Sequence, residues 1–511
     1  MLAKSLSYGL SGISGFPVTV EVNTAFGIPS FDVVGLPDAA VRESRERVRS
    51  ALKNSGMGFP EQRITVNLAP ADQKKEGPAF DLPIALTIMA CMGKLDPAAL
   101  SGTAIIGEVA LDGSVRPVRG ALPMVISALE AGVKRFLLPA DNENEVRCVE
   151  GIDLYCVSSL TQAAEHLSGK HPLPPVKTVA YSEILARRES PFDFKNVKGQ
   201  AGARRALEIA AAGSHNILMI GPPGSGKTLM ARCVPSILPD MTFQEALEVT
   251  RIHSVAGAVP ETGLLVERPF RSPHHTASHA ALVGGGTGAL PGEVSKSHNG
   301  VLFMDELPEY SRDVLEALRQ PLEDGVVTVT RVSAQSTYPA RFMLVCSMNP
   351  CPCGYYGSRQ RECRCSASEI KRYRSRISGP LLDRIDIHVE VESIPPGQLG
   401  DDTPSESSAE IRARVQAARE IQRTRYAPLG GRVKCNAQLD AGSLNAACPL
   451  EKEARQLLDL SAEKLELSNR AYTRILKVAR TIADLDGREI IGPEHVAEAV
   501  QYRSANQKYW R

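Results

Sequence analysis

The feature that most constrains this chain is a glycine-rich octapeptide set between a strand-like run and a helix-like run. Asn216–Ile220 is apolar, GPPGSGKT occupies residues 221–228, and Leu229–Cys233 continues as a helix. In this setting the spacing G-x-x-x-x-G-K-T is that of a phosphate-binding loop, which turns backbone N–H groups and a helix N-terminus toward phosphates. Lys227 would add positive charge, and Thr228 would ligate Mg²⁺. The residues predicted to hold a nucleotide are Gly221, Pro222, Pro223, Gly224, Ser225, Gly226, Lys227 and Thr228.

A second motif, VLFMDE at residues 301–306, ends an apolar strand-like run in two carboxylates. Asp305 at the strand end would hold Mg²⁺ through water, and Glu306 would polarise an attacking water, the two roles that phosphoryl transfer requires. Asn349 follows a third apolar strand and could contact the γ-phosphate or that water, although an Asn before a Pro also forms turns. The motifs together predict nucleotide hydrolysis.

The domain organisation follows from length and pattern, since 511 residues predict about three domains. Strand-like and helix-like runs alternate over residues 1–168, which predicts an α/β domain. A Pro- and Lys-rich segment marks a linker at 169–191. A second α/β domain with the phosphate loop spans 192–394, and a polar linker spans 395–410. Helical periods and start signals run through 411–511.

The overall charge is almost balanced, with 59 Lys and Arg against 58 Asp and Glu. A polyanionic partner must therefore be met by local basic patches. A hydrophobic content of 43% with 23% charged residues excludes a disordered chain. The N-terminus lacks the apolar core of a secretory signal, and no run approaches 18 apolar residues, so we expect a cytoplasmic protein without a membrane span.

Four of the eleven cysteines form the cluster C-x-C-x9-C-x-C, and these are Cys351, Cys353, Cys363 and Cys365. Four thiolates suit tetrahedral Zn²⁺ in a closed structural site, with free or redox-active thiols and an iron–sulfur cluster as the alternatives. The densest basic stretch of the chain, residues 359–376, surrounds and follows the cluster. It predicts contacts with nucleic-acid phosphates or packing against a neighbouring subunit. The candidates for DNA contact in this stretch are Arg359, Arg361 and Arg364.

The order of the motifs resembles that of AAA+ ATPases: phosphate loop, acidic strand, polar strand tip and helical lid. Residues 192–505 are similar to the magnesium-chelatase-like branch, whose members carry a hairpin before the polar strand, and EDGVVTVTRVSAQSTYPARF at 323–342 fits that hairpin. The strings RPFRSPHHTASHAALVGGG, DELPEY, NPCPCG and YGLSGISGFPVTVEV match the YifB/ComM family. The resemblance implies a central AAA+ domain with a parallel sheet and an all-helical lid of the magnesium-chelatase C-terminal type.

The same resemblance implies roles for particular residues. Asn349 would be the first sensor, and Arg384 in LLDRID would be an arginine finger that reaches the γ-phosphate of a neighbouring subunit. Arg470 would be the second sensor, although Arg474 lies one turn later and could serve instead. An intrachain ion pair of Arg384 with Asp383 or Asp386, and a solvated helix face for Arg470, are the alternatives. A finger acting on a neighbour implies a ring, which is usually a hexamer in AAA+ relatives.

The first domain resembles the ribosomal-S5-like α/β fold shared by the proteolytic domain of Lon and the C-terminal domain of RadA. KEGPAFD at 75–81 stands where Lon proteases carry K-D-G-P-S-A-G, so Ala79 occupies the position of the nucleophilic serine. The position of the lysine partner falls near Leu122. Because peptide hydrolysis of this type needs a nucleophile and a base, we expect no peptidase activity.

The leading hypothesis, from the resemblance, is an ATP-driven ring motor on single-stranded and branched DNA. Such a helicase would promote branch migration in homologous recombination during natural transformation. Its pore contacts would include Arg331 in the hairpin and Lys296 in the insert before the acidic strand. The alternative is a chelatase-type ATPase that remodels a metal-insertion partner or another protein. The cofactors expected are ATP and Mg²⁺, with structural Zn²⁺ at the cysteines.

Overall fold

The computed structural model describes residues 1–186, 190–260, 263–285, 289–331, 334–358, 361–393, 405–430 and 433–510. They form two compact units. The first unit consists of Met1–Arg188 with Phe243–Val266, and the second unit consists of Glu189–Thr242 with Glu267–Arg511. The described helices are all too short or too polar to traverse a bilayer.

The first unit is built on a mixed sheet, as the alternating pattern predicted. From edge to edge its strands are Ser30–Val34, Arg63–Ala69, Ser14–Ala25, Leu2–Ser11, Thr103–Ile105, Arg135–Pro139 and Asp153–Val157. Leu2–Ser11 and Ser14–Ala25 form an antiparallel hairpin. Its longer helices are Ala39–Asn54, Asp81–Cys91, Ala121–Glu130 and Leu160–Leu167. Asp81–Cys91 is apolar apart from Asp81 and Thr87 and is buried along its whole length, so it forms the centre of this unit's core.

The helix Phe243–Val255 packs within the first unit, although it lies inside the range 192–394 that the sequence suggested for the ATPase core. Glu145 accounts for part of this packing, because its buried carboxylate accepts hydrogen bonds from Ser254 Oγ and from the N–H of Leu122, the latter at 3.0 Å. Burial raises the pKa of Glu145, although these hydrogen bonds oppose the rise. Sequence proximity to the phosphate loop therefore does not decide which unit a segment joins.

The positions that would carry a Lon-type catalytic pair hold buried apolar side chains. Ala79 lies in the short 3-10 helix Pro78–Phe80, and Leu122 is fully buried in the helix Ala121–Glu130. The nearby Lys75 is also buried, and its ammonium group donates to the carbonyls of Gln73, at 2.8 Å, and Pro70. Neither Ala79 nor Leu122 has an atom that could attack a carbonyl or accept a proton.

The second unit contains a parallel sheet, and three of its strands take their names from the functional motifs at their carboxyl ends. The phosphate-loop strand is Ile217–Ile220, the acidic strand is Val301–Met304, and the sensor strand is Met343–Met348. The sheet order is Phe270–Arg271, acidic strand, sensor strand, phosphate-loop strand and Ile387–Glu390. The three named strands are buried throughout, as expected for a parallel sheet covered on both faces. Their carboxyl ends share one edge of the sheet.

Helices cover this sheet and form the C-terminal region, which confirms the prediction of a helical C-terminal part. The hairpin expected within 323–342 is present as Val326–Arg331 and Ala334–Pro339. The longer helices of the second unit are Ala201–Gly213, Lys227–Ile237, Ala367–Arg374, Ser408–Tyr426, Lys452–Lys464, Asn469–Leu485 and Pro493–Trp510. Asn469–Leu485 buries one face in the core that it shares with the sheet. The strongly amphipathic helix Asn469–Leu485 thus packs on the sheet that carries the phosphate loop.

Candidate nucleotide-binding site

The phosphate loop needs its glycines for two different physical reasons. Gly224 and Gly226 have φ values of +77° and +89°, and a Cβ atom at either position would point into open space. At Gly221 a Cβ atom would lie 2.2 Å from the carbonyl oxygen of Val391, beside the end of the neighbouring strand. The left-handed backbone conformation therefore favours glycine at positions 224 and 226, whereas close packing requires it at position 221.

Lys227 begins the helix Lys227–Ile237 and folds back over the loop. Its Nζ donates to the carbonyl oxygens of Gly221 and Pro222 at 2.7 and 2.8 Å, and it lies 3.4 Å from Asn349 Oδ1. Burial lowers the pKa of Lys227 to about 8, although the negative charges of Asp305 and Glu306 oppose this effect. A phosphate oxygen would be a stronger partner than the two carbonyls, because it carries negative charge.

Thr228 and Asp305 form the place where a divalent cation could bind. Thr228 Oγ1 donates to Asp305 Oδ2 at 3.0 Å. The other carboxylate oxygen, Oδ1, accepts hydrogen bonds from Ser347 Oγ and, at 3.1 Å, from the N–H of Glu306. Hydroxyl and carboxylate oxygens suit Mg²⁺. Ser347 orients Asp305, and sequence reasoning missed it; its only signal is a hydroxyl near the end of the apolar run MLVCSM.

Glu306 follows Asp305 in the left-handed backbone region, with a φ of +53°. This conformation is uncommon for a residue with a side chain and occurs often at functional sites. The N–H of Glu306 lies 3.3 Å from Ser347 Oγ, so the adjacent sensor strand helps to hold the turn. The turn separates the two carboxylates: Asp305 contacts Thr228, whereas Glu306 is exposed to solvent.

The backbone directly after Asn349 is held by the helix Ala367–Arg374, which sequence reasoning did not connect with it. Burial raises the pKa of the Tyr373 phenol on this helix, and the backbone amide of Asn349 opposes the rise. The next carbonyl, that of Pro350, accepts two hydrogen bonds from Arg374, at 3.0 and 2.9 Å. Arg374 is buried, and it donates to the carbonyl of Tyr509 at 2.8 Å. It belongs to the basic stretch by sequence, but this packing removes it from any surface that could meet phosphates.

The two arginines expected to sense nucleotide lie at the amino edge of the sheet. Asn216, which precedes the phosphate-loop strand, donates to the carbonyl of Arg384 at 2.9 Å. This contact lies where the strands Ile217–Ile220 and Ile387–Glu390 begin. Each strand is four residues, or about 13 Å, long, and this length separates the amino edge from the carboxyl edge. The Arg384 side chain is 6% exposed and pairs with Glu323, and the Arg470 guanidinium, 64% exposed, lies 3.8 Å from the same carboxylate. The intrachain partner of Arg384 is thus Glu323, rather than either neighbouring aspartate.

Arg474, the alternative second sensor, occupies a buried polar cluster. It donates to Asp386 Oδ1 at 2.9 Å, and His215 Nδ1 lies 3.3 Å from Asp386 Oδ2. Burial would raise the pKa of Asp386, but the charge of Arg474 and the hydrogen bond to His215 hold it well below its usual range. Arg474 is therefore engaged in neutralising a buried carboxylate, whereas Arg470 is exposed to solvent.

The four cysteines come together in space. Cys351 Sγ lies 3.4 Å from Cys353 Sγ and 3.6 Å from Cys363 Sγ, and all four sulfur atoms lie within 4.8 Å of one another. These separations exceed a disulfide bond of about 2.05 Å. Sulfur atoms around a tetrahedral zinc ion, each about 2.3 Å from the metal, lie about 3.8 Å apart. The described sulfur atoms therefore fit a four-thiolate metal site.

The other candidates for DNA contact differ in their availability. Lys296 lies 3.3 Å from Glu293, which also binds Arg271, so it belongs to an ion-pair group. Arg361 and Arg364 are exposed. Arg359 and the side chain of Arg331 lie outside the described part of the chain.

A parallel sheet with a phosphate loop, an acidic strand end and a polar strand tip at one edge is typical of the P-loop nucleotide-binding proteins. Family models of the magnesium chelatase subunit ChlI match residues 193–399 and 20–142, and a model of its C-terminal part matches 405–503. The central match implies the AAA+ fold and ATPase activity.

Similar proteins cover nearly the whole chain. YifB of Escherichia coli K12 is 45% identical over 97% of this chain and 96% of its own. Competence protein ComM of Haemophilus influenzae is 43% identical over 98% of this chain and 97% of its own. The chain belongs to the YifB/ComM family of magnesium-chelatase-like proteins. A partial likeness to Lon protease 2 of Bacillus subtilis, 27% identity over 164 residues, covers 30% of this chain and 29% of that protease.

Proposed function

We propose that this protein is an ATP-hydrolysing ring motor that acts on DNA in the cytoplasm. The observation that carries the proposal is the separation of the candidate residues between two edges of one sheet. Lys227 and Asp305 lie at the carboxyl edge, whereas Arg384 and Arg470 lie at the amino edge. Arg384 and Arg470 would therefore serve the nucleotide of an adjacent copy of the chain, as in a hexamer. The nucleotide lies between two subunits in such a ring.

Each residue at the carboxyl edge has a distinct part in the proposed reaction. The phosphate loop binds the phosphates of ATP, and Lys227 exchanges its carbonyl partners for phosphate oxygens. Thr228 and Asp305 would hold Mg²⁺, whose charge would offset that of the phosphates. Glu306 accepts a proton from the attacking water, and Asn349 orients that water or the γ-phosphate. The arginines of the neighbouring subunit stabilise charge on the transferred phosphoryl group.

The DNA part of the proposal is supported by the relative named competence protein and by the exposed Arg361 and Arg364. Branch migration or unwinding of single-stranded and branched DNA during homologous recombination and natural transformation is the activity proposed. Residues 192–394 and 411–511 would form the motor, and residues 1–168 a platform without peptidase activity. The cofactors proposed are ATP and Mg²⁺, with structural Zn²⁺ at the four cysteines.

A second candidate is a chelatase-type ATPase that remodels a protein partner, and the magnesium chelatase matches favour it. The first candidate predicts that single-stranded or branched DNA binds at low salt and increases the ATPase rate. Glu306→Gln is the control, because it removes the general base while leaving the phosphate loop intact, and it should lower hydrolysis about 10²–10⁴-fold. If wild type hydrolyses ATP but neither binds DNA nor responds to it, the DNA motor is refuted.

A further inference from the structure

The cysteine loop, residues 351–365, begins and ends at parts of the nucleotide site. Cys351 comes two residues after Asn349, and Cys365 directly precedes Ser366, the N-cap of the helix Ala367–Arg374. That helix holds the backbone at Pro350, directly after Asn349, through Arg374. A metal bound to all four cysteines would close this loop and join the sensor to the helix that holds it.

The first turn of the cysteine loop also lies against the phosphate loop. The N–H of Gly354 donates to the carbonyl of Cys351 at 2.9 Å. A Cβ atom at Gly354 would lie 2.5 Å from Pro223 Cδ and 3.8 Å from Asn349 Cγ. The turn is therefore in close contact with both the phosphate-binding loop and the proposed sensor. Any movement of this turn would reach the residues that position the nucleotide.

The other part of the cysteine loop presents positive charge to solvent. Arg361 and Arg364 are both exposed, and Arg364 lies between Cys363 and Cys365. The Arg361 guanidinium stacks 4.7 Å from the ring centre of Tyr355, which leaves its N–H groups free to meet an anion. Exposed arginines beside the sulfur cluster are well suited to phosphate oxygens.

Given the DNA motor proposed above, we propose that Cys351, Cys353, Cys363 and Cys365 bind one zinc ion that makes ATP hydrolysis and DNA binding depend on the same loop. The zinc-bound loop holds Asn349 against the phosphate loop and presents Arg361 and Arg364 to DNA phosphates. Zinc is the metal chosen, because four thiolates in a tetrahedral arrangement form a closed structural site.

The metal part is tested by zinc analysis and ATPase measurements on the full chain. Wild type should contain one zinc per chain, and Cys363→Ser should lose it, whereas Cys156→Ser, at a lone cysteine of the first unit, should retain it. Because displacement of about 1 Å at a reacting group costs roughly 10²-fold, the ATPase rate of Cys363→Ser should fall by about that factor. Zinc removal from wild type with a chelator, followed by addition of zinc alone, should lower and then restore the rate. Zinc-free wild type, or full activity after zinc loss, would overturn the inference.

The DNA part is tested with the double variant Arg361→Ala/Arg364→Ala. Loss of two phosphate contacts should reduce the slope of log affinity for single-stranded DNA against log salt by about 1.4 in magnitude. Arg312→Ala, at an exposed arginine of the helix Arg312–Ala317, should keep the wild-type slope. Zinc content should stay at one per chain in both, which separates lost charge from lost structure. If DNA stimulates wild type but the double variant keeps the wild-type slope, this inference alone is refuted. If DNA neither binds to wild type nor stimulates it, the proposed function is refuted.

Discussion

Gly354→Ala tests whether the turn of the cysteine loop controls the phosphate loop. Gly354 has a φ of +85°, and the added methyl group would lie 2.5 Å from Pro223 Cδ, where ordinary contact begins at 3.4 Å. Since Cδ is bonded to the backbone nitrogen of Pro223, no side-chain rotation can relieve the contact. Either the turn or the phosphate loop must therefore move by about 0.9 Å.

Gly354→Ala should have two separate effects: backbone strain that lowers stability, and displacement of the phosphate loop that lowers activity. The left-handed conformation costs a residue with a side chain about 1–2 kcal/mol, whatever surrounds it. Gly357→Ala is a matched control, because Gly357 has a φ of +75° and a Cβ atom there would meet nothing within 4 Å. Both variants should lose about 1–2 kcal/mol of stability from this strain. Only Gly354→Ala should also lose activity, by about 10²-fold for a shift of this size near the reacting groups.

The assay is steady-state ATP hydrolysis, read as kcat/KM, together with the free energy of unfolding from denaturant titration. We expect similar unfolding free energies for the two variants and a large difference in kcat/KM. If Gly354→Ala hydrolyses ATP as well as Gly357→Ala, the contact with Pro223 does not control the phosphate loop, and the reasoning is refuted. If both lose activity equally, backbone strain in the cysteine loop is the cause instead.

Three further predictions concern single side chains. Because burial lowers the pKa of Lys227 to about 8, ATP affinity should fall about tenfold per pH unit as pH rises above that value. An equal fall in the ATP affinity of Lys227→Met over the same pH range would contradict this prediction. Asp386→Asn removes the counter-charge of the buried Arg503 and the partly buried Arg474, so it should cost about 3–5 kcal/mol in denaturant unfolding. The exposed pair tested by Glu309→Gln should cost under about 1 kcal/mol, and equal costs would disprove the prediction. Mixing inactive Arg384→Ala and Lys227→Ala chains should restore part of the ATPase activity if the arginine acts on a neighbour, and mixtures that stay inactive would argue against that role.

Much of the fold and of the site's composition can be predicted from short stretches of sequence. The run from Ile217 to Thr228 predicts a strand, a phosphate loop and a helix because its signals are local: apolar residues, glycines and a Lys-Thr pair at set spacing. The carboxyl ends of neighbouring parallel strands then bring Asp305 and Asn349 to the same edge, where they contact Thr228 and Lys227. Their catalytic roles stay predictions, but their proximity was expected from the order of the motifs.

Contacts between residues far apart in the chain were decided only by the tertiary structure. Arg474 meets Asp386 across 88 positions, and Arg374 meets Tyr509 across 135, so the sequence alone could not separate the partly buried Arg474 and the buried Arg374 from the exposed Arg470 and Arg361. The sequence determined the family, the phosphate loop and the cysteine cluster, because each depends on residue types at short, fixed spacing. The structure decided which charges are neutralised and which remain available, because burial and ion pairing depend on the whole fold.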